Sequence, residues 1–247
     1  MASAQSETPP SQRRLPGDTI DSLTHEFRFG NFEGQLTVGF YEGRDPAMIQ
    51  MSASKQPPVV NGLLSVLSDT ATLALQYGVP LEEMIRRWKG KSFEPSGLTR
   101  RPQISYARSV VDYVAQYLGQ VAQQPEDRRA TLAFSDQDDL SLSTHKVTVG
   151  QMWLYLTIGT ENKSPRTVRQ VSMDAGKEGG IIDGLLKTVG ETASLALRYD
   201  VPLKEVVELW RGYGFPPDGF TQNPDIPHAK SIPDYVARFL ELRFLQQ

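Results

Sequence analysis

The sequence predicts an α+β protein built from two tandem βββααα units, each a small antiparallel sheet packed with helices and related to the other by a pseudo-twofold. Two observations carry this. The 60 residues from Val59, beginning VVNGLLSVLSDTATLALQYGVPLEE, recur from Ile181 as a stretch beginning IIDGLLKTVGETASLALRYDVPLKE, without a gap and with about 28 identities. Within each copy the apolar period then changes from two to about 3.6, strands first and helices after.

The match extends upstream as LTVGFYEG from Leu36 against LTIGTENK from Leu156, and as Thr24-His25 against Thr144-His145. One repeat therefore spans residues 22–120 and the other 143–247. Residues 1–21, with Ser, Pro, Gln and the pair Arg13-Arg14 but no apolar core, read as a disordered N-terminal arm. Residues 121–142, rich in Gln, Asp, Arg and Ser, read as a linker.

Three short strands open each copy: 25–29, 35–41 and 48–52 in the first, 146–149, 153–159 and 167–173 in the second. Met152 to Ile158 is apolar or aromatic at nearly every position, which predicts a strand buried on both faces. A helix over Val59 to Tyr77 follows, with Val60, Leu63, Leu64, Leu67, Ala71 and Leu75 on one stripe. Gly78 ends it cheaply in left-handed geometry, whereas Asp200 holds that place in the second copy and makes a less comfortable cap. Pro80 and Pro202 open the next helix, where a missing N–H costs little. A Pro/Gly loop and a third helix complete each unit. Ser109-Val-Val-Asp112 and Ser231-Ile-Pro-Asp234 match a capping box at its start, with the carboxylate reaching back to the serine N–H. Tyr113 and Tyr235 then pack. The final segment, Tyr235 to Leu245, is apolar around most of its circumference, so packing of the copies on each other or a homodimer is expected to bury it.

Composition narrows the function. Of the residues, 39% are apolar and 22% charged, the range of globular proteins, and the formal charge of −3 argues against a general nucleic-acid or membrane coat. No apolar run approaches the roughly 18–20 residues of a membrane span, and a cytoplasmic location is the default. Cysteine is absent, which excludes disulfides, thiolate metal ligands and cysteine nucleophiles from these residues.

Several groups remain as candidates. His25 and His145 sit at equivalent strand starts without a second ligand in spacing, so they read as edge-strand residues and no metal site is expected. Gly176-Lys177-Glu178-Gly179-Gly180 joins a strand to a helix. Lys177, Gly179 and Gly180 there offer either an ordinary turn or a phosphate contact through backbone N–H groups. The paired loops Phe93 to Thr99 and Phe215 to Thr221 put Gly97, Thr99, Gly219 and Thr221 at matching places, for rigidity or for binding. Arg86, Arg87, Lys89, Lys91, Arg100, Arg101 and Arg108 become Glu208, Leu209, Arg211, Tyr213, Gln222, Asn223 and Lys230. Copy one is thus the basic half, with Arg100 and Arg101 candidates for an anionic ligand. An enzyme using Asp112 or Asp234 with His228 is a further reading, and no catalytic residue is assigned.

Each copy resembles the C-terminal, TSCPD-type domain of adenosylcobalamin-dependent (class II) ribonucleotide reductases. LTVGFYEG, LALQYGVPLEEMIRRWKG, FEPSGLT and ARSVVDYVAQYL carry the resemblance in the first copy. GKEGGIIDGLL, LALRYDVPLKEVV and FPPDGFTQNPDIPHAKSIPDYVARFL carry it in the second. Nothing resembles the catalytic barrel, its cobalamin site or its radical cysteine. The cysteine pair that commonly ends such enzymes is also missing. The resemblance therefore implies a non-catalytic accessory or binding protein that assists a separate reductase subunit or binds nucleotides. It implies no directly bound cofactor, with adenosylcobalamin reached only through a partner reductase. A stand-alone nucleotide sponge or sensor, and a protein-interaction scaffold, are the competing expectations.

Overall fold

The computed structural model describes residues 12–17, 20–42, 45–122, 140–161 and 167–246. The expected linker lies outside them except at its two ends, and so does most of the expected arm. In copy one, β1 (Asp21–Phe29), β2 (Phe32–Phe40) and β3 (Pro46–Ser54) form an antiparallel meander. Helices α1 (Pro58–Gln76) and α2 (Leu81–Trp88) follow. A short hairpin, β4 (Gly97–Arg101) and β5 (Ile104–Ala107), precedes α3 (Val110–Ala122). Copy two repeats this as β6 (Leu140–Val149), β7 (Met152–Glu161), β8 (Val168–Ala175), α4 (Ile181–Arg198), α5 (Leu203–Trp210), β9 (Gly219–Phe220), β10 (His228–Ala229) and α6 (Ile232–Leu240). A π-helical turn, Glu241–Leu245, extends α6. The expected α+β class and tandem units are found. The addition is the hairpin before the last helix, where β4 joins the sheet in the order β3-β2-β1-β4-β5. In copy two the same join is a single bridge, Val149 to Thr221.

β3 is an edge strand, and α1 closes it. Thr72 Oγ1 accepts from Ile49 N at 3.0 Å, Ser68 Oγ from Met51 N at 2.8 Å and Asn61 Oδ1 from Ala53 N at 2.9 Å. The helix side chains thereby satisfy donors that an open edge would offer to another chain. In copy two Ser194 Oγ accepts from Val171 N at 2.9 Å, and Gly190 lets α4 come close enough that a Cβ there would stand 2.7 Å from Val171 O.

The copies meet through α1 and α4, and their contacts are reciprocal. Trp88 Nε1 donates to Thr192 Oγ1 at 3.0 Å, and Trp210 Nε1 to Thr70 Oγ1 at 2.8 Å. The Phe215 ring covers Gly62, and the Phe93 ring covers Gly184. Lys91 Nζ pairs with Glu191 at 2.7 Å, while its counterpart Tyr213 donates to Asp69. Equivalent positions on both sides make equivalent bonds, which is the expected pseudo-twofold. The two helical glycines make room for the phenylalanine ring of the opposite copy.

Three expectations change. β7 is not buried on both faces: Leu154, Leu156 and Ile158 point into the core, but Trp153 and Tyr155 are 47% and 45% exposed. Its apolar run is an ordinary alternation whose outward positions happen to be aromatic. The final helix is not covered by the other copy. Tyr235, Val236 and Leu240 are buried within copy two, and Tyr235 OH meets His145 Nε2 at 2.8 Å. Leu242 and Leu245 in the turn beyond stay partly exposed. Within the expected arm, Arg13 bridges Gln76 of copy one and Glu205 of copy two at 2.7 and 3.1 Å, and Arg14 lies over the Tyr41 ring.

The helix ends behave as their residues require. Gly78 takes φ +84, and Asp200 takes φ +60 despite its Cβ. Arg169 offsets this strain by binding Asp200 Oδ1 at 2.7 Å and Leu197 O at 2.6 Å at the same helix end. Helix α1 has the length and composition of a membrane span, with mean hydropathy 1.3, yet 61% of that stretch is buried inside the fold, as a core helix would be.

Candidate binding grooves

The capping reading of the Ser/Asp pairs holds, with one difference. Ser109 Oγ accepts from Asp112 N at 3.1 Å and Ser231 Oγ from Asp234 N at 3.2 Å. The carboxylates reach past the serine. Asp112 accepts from Gly90 N at 2.7 Å and Arg108 N at 2.9 Å, and Asp234 from Gly212 N at 2.8 Å and Lys230 N at 3.0 Å. Each buried aspartate thus ties the end of the second helix to the start of the third. His228 lies edge-on to Phe220 at 5.6 Å, and no bond joins it to Asp234.

The strand histidines are half-buried partners of the tyrosines. His25 Nε2 meets Tyr113 OH at 2.9 Å and stacks on Tyr117 at 3.9 Å, while His145 stacks on Phe239 at 4.6 Å. Burial first, and then Arg101, holds the His25 pKa below the ordinary value; burial and then Arg243 do the same for His145. Among the described residues no cluster of three or more His, Asp or Glu is placed to hold a metal.

Gly97 and Gly219 permit a close approach: a Cβ on Gly97 would stand 3.0 Å from Gly30 N, and one on Gly219 3.3 Å from the Gly150 Cα. Thr99 and Thr221 close their hairpins, donating to Ile104 O and Ile226 O and accepting from Arg101 N and Asn223 N at 3.0 and 3.1 Å. Arg101 turns away to Gln120 at 3.3 Å and to the Tyr117 ring. In the glycine-rich turn, Gly180 N donates to Lys177 O at 3.0 Å, and Gly179 O accepts from Glu94 N of copy one at 2.9 Å. Lys177 itself is exposed.

Two grooves open at the same end of each sheet, beside the first hairpin turn. In copy one a cavity of about 400 Å³ is lined by Arg28, Gly30, Asn31, Glu33, Ser54, Lys55, Leu98 and Arg100. Three cations and one acid line it: Arg28 pairs with Glu33, and Lys55 stands 3.9 Å from it. In copy two a cavity of about 640 Å³ is lined by Trp153, Tyr155, Asp174, Gly176, Glu178, Asp183, Lys187 and Pro217 among others. The structure therefore brings Arg100 into the first groove and sets the turn of Lys177, Gly179 and Gly180 beside the second. It leaves Arg101 outside both. Sequence reasoning missed Arg28, Glu33, Trp153 and Tyr155. The signal available was the strict alternation of Trp153, Tyr155 and Thr157 with Leu154, Leu156 and Ile158.

The comparisons with known proteins fit this two-part architecture. A vitamin B12-dependent ribonucleotide reductase of Rhodopirellula baltica is 39% identical over 110 residues, 44% of this chain and 10% of that enzyme. The corresponding enzyme of Streptantibioticus cattleyicolor is 34% identical over 105 residues, 42% of this chain and 17% of its own length. That of Agrobacterium fabrum is 36% identical over 103 residues, or 41% and 8%. Each match covers about one repeat unit's length and a small part of the relative. No solved structure matches. The TSCPD domain family matches residues 11–122 and again 128–244, so the chain belongs to that family and carries its domain twice.

Proposed function

We propose that this chain is a non-catalytic accessory protein of the B12-dependent ribonucleotide reductase type, and that its copy-one groove binds the phosphate of a nucleotide. One observation carries the reading: Arg28, Lys55 and Arg100 converge on a groove that holds Glu33 as its single acid. A guanidinium pair and an ammonium on a concave surface suit a phosphate, which accepts bidentate and point-charge donors alike. The non-catalytic part rests on the absence of cysteine from these residues and on a match confined to a small part of each reductase.

Adenosylcobalamin does not fit the residues described. A corrinoid with its adenosyl group is larger than either groove, and the His25 and His145 Nε2 atoms face tyrosine hydroxyls. A separate reductase subunit would supply the cofactor, and a cytoplasmic location follows from that pairing.

The test is thermal unfolding of the full chain with ribonucleotides, deoxynucleotides, inorganic phosphate and adenosylcobalamin. A nucleotide at about 100 times its Kd adds roughly 2.7 kcal/mol to the folded state. Arg100→Gln, which installs the copy-two residue, should remove most of that shift. Absence of a shift with every nucleotide would overturn the phosphate reading, and reductase activity from the purified chain alone would overturn the non-catalytic one.

A further inference from the structure

The surface around the second groove differs from the equivalent surface of copy one. Glu26, Glu33 and Gln35 of copy one become Lys146, Trp153 and Tyr155, while Ser52, Gln56 and Asn61 become Asp174, Glu178 and Asp183. Two acids and four neutral polar side chains have been exchanged for a lysine, two aromatic rings and three carboxylates. The rings stand side by side on the outer face of β7, and Tyr155 pairs in register with Lys146 on one side and Asp174 on the other. They already hold a cation. Lys146 Nζ lies 4.4 Å above the Trp153 ring and 5.4 Å from that of Tyr155. Lys187 does not neutralise the rest, because it is shared between Asp174 at 3.2 Å and Asp183 at 2.9 Å. Glu178 is exposed and makes no ion pair among the described residues.

We propose that the Trp153–Tyr155 groove binds the guanidinium of an arginine presented by a basic segment of a protein partner. An aromatic face attracts a cation by its quadrupole, most strongly for tryptophan, and a planar guanidinium also stacks on it. Glu178 and Asp174 then accept its N–H groups at the groove's edge. A cavity of about 640 Å³ is larger than one side chain needs and takes the neighbouring residues of an extended segment. Lys146 is the built-in competitor, since an incoming guanidinium must displace its ammonium from the rings. This inference does not rest on the phosphate reading of the first groove.

The fluorescence of the full chain provides the assay. Trp88 and Trp210 are buried at 1% and 0% exposure, so changes on titration report Trp153. The probe is an N-acetylated, amidated tetra-arginine peptide, with tetra-glutamate, free arginine amide and ADP beside it. Expected is saturable quenching by tetra-arginine alone, at least tenfold weaker binding by calorimetry in Trp153→Ala, and about threefold weaker binding in Glu178→Gln. Lys146→Ala should bind the peptide several-fold more tightly, and Arg100→Gln should leave it unchanged. Weaker binding in Lys146→Ala would overturn the proposal, because the lysine would then support the site and not compete with the guanidinium for the rings. So would quenching by ADP in preference to the peptide, binding unchanged in Trp153→Ala, or arginine amide binding as tightly as the peptide.

Discussion

Gly62→Ala should destabilise this protein, although it puts alanine into a helix interior. In an ordinary exposed helix the change gains about 1 kcal/mol, because glycine gives up more backbone freedom on folding. Here a Cβ on Gly62 would lie 2.8 Å from Cδ2 of Phe215 and closer still to Cγ and Cδ1. Phe215 reaches this point from the other repeat, and its ring is held by the backbone bond from its own N–H to Lys230 O at 3.1 Å. Forcing a methyl into such a contact costs typically 1–3 kcal/mol and occasionally more. Subtracting the helix gain leaves a net loss of about 0–2 kcal/mol, against a gain of about 1 kcal/mol if the ring is elsewhere. Gly184→Ala meets Phe93 in the same way, 2.7 Å from its Cδ2. Urea unfolding of both single variants and of Gly62→Ala with Phe215→Leu decides the matter. The pair should show favourable coupling of about 0.5–3 kcal/mol, the smaller side chain relieving the clash. If both alanine variants are stabilised by about 1 kcal/mol and no coupling appears, the two repeats do not pack through α1 and α4 as described.

Asp112→Ala should cost about 1–3 kcal/mol in urea unfolding, because Gly90 N and Arg108 N, in part-buried bonds, lose their acceptor together with the tie between the second and third helices. Asp112→Asn, which keeps one acceptor oxygen, should recover part of it. Stability should fall as pH drops below about 6.5, the ordinary histidine value. His25 and His145 have folded pKa values below it, so the unfolded chain takes up protons first and unfolding is favoured on that side. The double variant His25→Gln/His145→Gln should show a flatter melting-temperature profile between pH 7 and 5; an unchanged slope would locate the dependence elsewhere. Residues 12–122 expressed alone should form a homodimer by light scattering, because Trp88 finds Thr70, Phe93 finds Gly62 and Lys91 finds Asp69 on a second molecule. Phe93→Asp should leave that fragment monomeric.

The repeat made most of the fold legible. Strand and helix order followed from the change of period, and Asp200 was marked as an awkward helix end by comparison with Gly78 alone. Its remedy was not legible, since Arg169 lies 31 residues away and becomes a cap only when β8 is folded beside α4. The joining of β4 to β1 is hidden because Phe29 pairs with Thr99 where Gly97 meets Gly30, residues far apart in sequence. For β7 the error was one of period: a run of apolar letters looked like burial on both faces, while alternation left Trp153 and Tyr155 outside. The paired loops drew attention for their fixed Gly and Thr positions, yet those residues shape the hairpins. The groove-lining side chains come from β1, β2, β3 and β4 together, which no local motif displays.

Comparing the two copies separates what the fold requires from what the surface is free to change. At the crossing between them the identities are kept: Gly62 and Gly184, Phe93 and Phe215, Trp88 and Trp210, Thr70 and Thr192. Each of these residues packs against the counterpart of the residue that its own twin contacts, so a change at one position disturbs a contact whose other half belongs to the opposite repeat. Such a site tolerates a difference only when both members change together, as Lys91 with Glu191 and Tyr213 with Asp69 illustrate. The grooves carry no such constraint. They open beside the first hairpin turn of each sheet, and the positions of Glu33 and Trp153 share nothing but a place in the strand. The two copies thus share a centre, while their grooves, which have in common only the positions Asn31/Gln151, Glu33/Trp153 and Ser54/Gly176, carry opposite charge. A three-cation groove and an aromatic groove rimmed by carboxylates on one body suit the recognition of two chemically different ligands, and this divergence is hard to account for by packing alone.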